Sequence, residues 1–130
     1  MNDIISILNS KPMFRASKGA TKEEITQAEK LLSLKFSKEY FHYLSTVGFG
    51  IYKGHELTGI CKAKRLDVVN VTLEERTITS YIPADWYVVE QANIDGIVIW
   101  QNAKGEIYQT APNAEPLKIC DSLAEYVENY

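Results

Sequence analysis

The hydrophobic period of this chain changes at Gly48, and that change limits the possible folds more than any other feature. Before Gly48, apolar residues recur at three- and four-residue steps, the spacing of one helical face. Thr21-Lys22-Glu23-Glu24 reads as a capping box, the Thr21 hydroxyl placed for the Glu24 amide and Glu24 reaching back. Ile25, Ala28, Leu31 and Leu32 then form an apolar stripe. Ser37 is a second N-cap, and Tyr40, Phe41, Leu44 and Val47 give a further helix that Gly48 closes in a left-handed conformation. A short helix over 3–9, with Ile4, Ile5 and Leu8 on one face, precedes both and stops at Ser10-Lys11-Pro12.

Beyond Gly48 the period falls to two. Gly48, Gly50, Gly54 and Gly59 divide a stretch in which Ile51, Tyr52 and Leu57 read as short strands. Strands are then expected at 86–90, 96–101 and 106–110, the last two joined by a hairpin turning at Asn102-Ala103-Lys104-Gly105, and another at 117–120. Residues 66–76 carry both patterns. Leu66, Val69 and Leu73 with the Thr72-x-x-Glu75 box favour helix over strand. Ser122 and Glu125 cap a terminal helix that turns Leu123, Tyr126 and Val127 inward. Helices, then strands, then a helix describe an α+β fold: one largely antiparallel mixed sheet with helices packed on one side. At 130 residues, without repeat or linker, the whole chain is one domain.

Composition excludes several function classes. Apolar residues make up 45% and charged residues 24%, the balance of a globular protein. No aliphatic or aromatic run exceeds four residues, the length of Ile97 to Trp100, and no charged-then-apolar leader opens the chain, so a soluble cytoplasmic protein is expected, with no membrane partner. Cys61 and Cys120 match no metal or redox spacing and read as isolated thiols, although one disulfide between them stays open. Residues 1–65 hold 11 Lys/Arg against 6 Asp/Glu, and residues 66–130 hold 3 against 11. A pI near 5.4, with no aromatic stacking motif beside the basic residues, argues against nucleic acid; the acidic half suits a basic protein partner.

No convergent chemistry stands out. Gly48-Phe49-Gly50 lacks the following helix that a phosphate loop requires and reads as a turn. His42 reads as a half-buried packing residue. His55 and Cys61 are near enough in sequence to suggest a base and nucleophile, but nothing supplies the setting that would activate the thiol. Asp85, Glu90 and Asp95 flank Trp86 in the manner of a glycosidase pair, yet a strand end and the Asn93-Ile94-Asp95-Gly96 turn explain them more simply. No catalytic residue, metal site or cofactor is expected. The aromatic residues offer more: Tyr40 and Tyr43 suit the core, whereas Tyr52, Tyr81, Trp86 and Tyr87 gather at loops and strand starts, where aromatics beside carboxylates anchor protein partners. Tyr52, Glu56, Asp85, Trp86, Glu90 and Asp95 are the expected partner-binding residues.

The runs ATKEEITQAEKLLSLKFSKEYFHYLSTVGFG, GHELTGI, IPADWYVVEQANIDGIVIWQNAKGEIYQ and ICDSLAEYVENY follow one another in an order similar to the SUKH superfamily, the group related to yeast cell-wall synthesis regulators of the Smi/Knr type. The resemblance covers nearly the whole chain. Family members often carry a proline where Ser37 stands, and an acidic residue where Gln101-Asn102 stand. The resemblance implies an α+β fold and a role without catalysis. Most bacterial members look like immunity proteins, cytosolic partners that neutralise polymorphic toxins, often nucleases; eukaryotic relatives act as regulatory interaction modules. A cognate toxin with a basic surface is therefore the expected partner, bound by a monomer or weak homodimer. A regulatory or ligand-binding module without a toxin is the alternative.

Overall fold

The computed structural model describes residues 3–130. Helices α1 (Ile4–Asn9), α2 (Lys22–Leu32) and α3 (Lys38–Val47) come first, with a two-residue strand β1 (Arg15–Ala16) between α1 and α2. Strands β2 (Gly50–Tyr52) and β3 (His55–Leu57) lead into α4 (Val68–Ile78). Then follow β4 (Tyr87–Gln91), β5 (Val98–Gln101), β6 (Ile107–Thr110), β7 (Leu117–Cys120) and α5 (Leu123–Asn129). Among the described residues, seven strands form one sheet in strict chain order, every neighbouring pair antiparallel.

Local chemistry sets the helix ends. Both halves of the Thr21–Glu24 box form, at 3.1 and 2.9 Å, and Ser37 Oγ accepts from the Tyr40 amide. Gly48 ends α3 at φ 74°, and a Cβ there would stand 2.2 Å from the Lys18 carbonyl, so only glycine fits this turn. The hairpin turns as expected: Gly105 N–H donates to Asn102 O, while Asn102 Oδ1 accepts from the Lys104 and Glu106 amides. At α5, Ser122 Oγ takes the Glu125 amide, and the Glu125 carboxylate reaches back to Asp121 N–H, one residue earlier than a standard box.

The helix expected over 66–76 forms as α4 from Val68, after a 3-10 turn at Lys64–Leu66, but the cap lies elsewhere than expected. Asp67, not Thr72, caps α4 by accepting from the Asn70 amide. Thr72 sits inside the helix, buried, and its hydroxyl accepts from Val88 N–H of β4. The side of α4 that faces the protein is Val68, Val71, Thr72 and Glu75, and Leu73 is exposed.

Two apolar layers result. The larger lies between one sheet face and α1, α2, α3 and α5, and it buries Tyr40 and Tyr43 completely. Tyr87, Val89, Ile99, Ile107 and Cys120 are its sheet side. The smaller joins Val71 of α4 to Trp86, Val88, Val98 and Trp100 on the opposite face. The alternation of strand side chains assigns each residue to its layer. A bulge between Val88 and Glu90 breaks the alternation, since Val88 pairs with Trp100 and Glu90 with Ile99. It places Glu90 on the helical face.

Candidate functional site

Because of that bulge Glu90 is a buried acid, 3% exposed, and it organises a cluster. Its Oε1 accepts from the Tyr126 hydroxyl of α5 at 2.5 Å, and its Oε2 lies 2.9 Å from His55 Nδ1 of β3. His55 Nε2 faces the Tyr130 main-chain oxygen at 3.0 Å, and the Tyr52 ring stacks on the imidazole with centroids 4.8 Å apart. Burial, reinforced by Glu90, pushes the Tyr126 phenol far above its ordinary range, so it remains a donor. Burial and the same carboxylate also raise Tyr52, whose buried hydroxyl has no partner among the described residues. Both carboxylate oxygens and both ring nitrogens are thus engaged within the chain. The cluster ties β3, β4 and α5 together.

A second network surrounds Gln101 of β5. Its Oε1 accepts from the Tyr87 hydroxyl at 2.7 Å, and its Nε2 donates to Glu39 at 2.9 Å and to the Gly105 carbonyl at 3.0 Å. Glu39 also accepts from the Leu123 and Ala124 amides at the start of α5. An amide is needed here. A carboxylate at 101 would face another carboxylate and a carbonyl with no proton to give. Gln101→Glu is accordingly expected to cost about 2 kcal/mol, because it replaces one buried and one part-buried hydrogen bond by repulsion. Chemical denaturation reads this directly; a change under about 0.5 kcal/mol, the range of neutral surface substitutions, would refute the assignment.

The six expected partner-binding residues do not form one patch. Tyr52 (0% exposed) and Glu90 lie in the buried cluster, and Trp86 (5%) packs in the smaller layer, stacked on Tyr108 at 4.3 Å. The expectation that Tyr52 and Trp86 stand exposed as anchors is therefore corrected. Tyr87, grouped with them, is also buried, whereas Tyr81 is exposed. Glu56 pairs with Arg65. Asp85 and Asp95 are exposed, but Asp85 precedes β4 and Asp95 follows it, so they occupy opposite ends of that strand. His42 is exposed rather than half-buried.

His55 and Cys61 do not act together, since the imidazole is held by Glu90 and Tyr130 while Cys61 Sγ donates to the Ala63 carbonyl. Cys61 and Cys120 are free thiols. Burial raises Cys61 and pushes Cys120 up to about 11. Raised pKa values leave less thiolate at neutral pH, so alkylation should be slower than for an unstructured cysteine and should quicken as pH rises. Rapid, pH-independent modification of Cys61 in an iodoacetamide time course would contradict the raised thiol.

The exposed apolar side chains are others. Leu31 is 56% exposed on α2, although the helical period places it on the apolar face, and Ile94 is 61% exposed between Asn93 (φ 59°) and Asp95 (φ 53°). The Ile94 signal is present in the sequence, because an isoleucine inside an Asn-x-Asp-Gly turn has no core to enter. For Leu31 there is no such signal; the width of the buried face is decided by what packs on it.

The fold and these networks define the class: an α+β domain that presents carboxylates and isolated apolar side chains and keeps its acid–imidazole cluster internal. Comparison with known families makes the assignment specific. The chain matches the SMI1-KNR4 cell-wall family, SUKH_5, along residues 1–130, and it belongs to that family. No curated protein matches it. Membership identifies a protein-interaction module. No helix among the described residues is long and apolar enough to cross a membrane.

Proposed function

We propose that this protein is a non-catalytic, cytoplasmic immunity protein that binds and neutralises a cognate protein toxin with a basic surface, nucleases among the candidates. The family match along the whole chain carries this reading. The surface agrees with it: Asp85 and Asp95 are exposed and form no ion pair among the described residues, which leaves them free to act on an approaching cation. Charges of this kind raise the association rate more than they slow dissociation.

The test is co-expression with the protein encoded immediately upstream. Growth arrest by that protein, relieved by this chain, supports the reading; arrest that persists with the chain folded and abundant refutes it. With that partner in hand, Asp85→Lys combined with Asp95→Lys should slow association severalfold and flatten its salt dependence while dissociation stays nearly constant. On-rates that ignore both changes would remove the steering role. The family's cell-wall designation favours a second reading, a regulatory module that binds a host protein. A chain that leaves the arrest unchanged while forming a stoichiometric host complex would establish that reading instead.

A further inference from the structure

An open groove of about 440 Å³ runs between α2 and the segment that enters α4. Its floor is apolar: Ala28 and Leu31 from one side, Ile60 and Val69 from the other. Glu23, Glu24 and Asp67 stand among its lining, which contains no cationic side chain. Two of these carboxylates are fixed before any partner arrives. Glu24 is bonded to the Thr21 amide and Asp67 to the Asn70 amide, each through one oxygen, so the second oxygen stays available. None of the three forms an ion pair among the described residues. The basic residues of α2, Lys22 and Lys30, line a neighbouring depression that shares Glu23 and Gln27 with the groove.

We propose that this groove seats a segment of a partner protein in which an apolar side chain is flanked by lysine or arginine. The apolar side chain would cover Leu31 and the floor, and its basic neighbours would meet the carboxylates. Apolar contact at the centre with charge pairs at the margin is the usual anatomy of a protein interface. The same carboxylates disfavour phosphate, and so favour a basic protein segment over nucleic acid or anionic lipid. Preset carboxylates lower the ordering cost of binding. Arg76 of α4 donates to the Leu32 carbonyl at the end of α2 and to the Ala84 carbonyl, which places Asp85 toward the C-terminal end of the same helix pair, past the groove at the start of α4. The proposal rests on the protein-binding reading, though not on the partner's being a toxin.

A displayed library of random peptides, selected on the intact chain, tests it. The expected winners carry Lys or Arg on both sides of Leu, Ile, Phe or Met. Their synthetic versions should bind the Leu31→Glu variant about tenfold or more weakly, as for an interface hot spot, and the Glu23→Lys variant severalfold more weakly. Both substitutions are at exposed positions, so the melting curve of each should match the parent. No enrichment, winners without basic residues, or equal binding to both variants overturns the groove. If winners miss the groove while the chain still relieves growth arrest, the groove alone fails. If winners require Leu31 while growth arrest persists, the groove stands and the toxin reading fails.

Discussion

Glu90→Ala is expected to destabilise the free protein by about 3 kcal/mol, although no sequence pattern distinguishes this glutamate from a surface one. The substitution removes the acceptor for a buried hydroxyl and a part-buried imidazole at once. Each orphaned donor costs roughly 1–3 kcal/mol. The His55 side chain retains 27% exposure, so water recovers part of its share and the sum stays below that of a fully buried ion pair. Glu90→Gln should cost less, because one amide oxygen still accepts while its NH₂ group meets a donor. Tyr126→Phe removes only the 2.5 Å bond and should lose about 1.5–2 kcal/mol. Measured by urea denaturation, Tyr126→Phe should add little once Glu90 is alanine, since both substitutions delete the same bond. Additive losses would show that the two side chains do not share an interaction.

Trp86→Ala is expected to cost about 3–4 kcal/mol, the usual range for removing a buried indole. Trp86 contacts Tyr108 and lies 6.2 Å from Trp100 between ring centroids, so its loss opens a cavity beneath α4 and the 79–86 segment. The melting curve of the isolated chain should fall by many degrees. A normal melting curve combined with faster dissociation from a partner would mean that Trp86 is an interface anchor after all, and would overturn the second apolar layer.

These two residues also show where the sequence is legible. Cap chemistry is local, so Thr21, Ser37 and Ser122 reveal their helices within four residues, and the Asn102–Gly105 turn reveals its hairpin in the same way. Strand alternation is also local, until a bulge interrupts it. The inserted residue between Val88 and Glu90 reverses the face that Glu90 occupies, and no residue type in Val88-Val89-Glu90 announces the insertion. Trp86 presents a different difficulty. Its burial depends on a second sheet face being covered by α4, whose own cap, Asp67, is obscured by the more conspicuous Thr72-x-x-Glu75 pattern. Leu31 reverses the error: the period points inward, but the neighbouring helix leaves the stripe only partly covered. Partner-binding surfaces depend on such tertiary coverage, so composition identifies the acidic bias of the second half without locating a contact.

The account rests on binding without turnover, and stoichiometry tests this most directly. Purified chain is titrated into a fixed amount of the proposed toxin partner, the upstream-encoded protein that passes the growth-arrest test, and the remaining toxic activity is measured at several incubation times. A tight inhibitor predicts a linear fall that ends at an equimolar ratio and does not change with time. Silencing by a small fraction of an equivalent, deepening with incubation, would reveal an enzyme acting on the toxin and contradict the central claim.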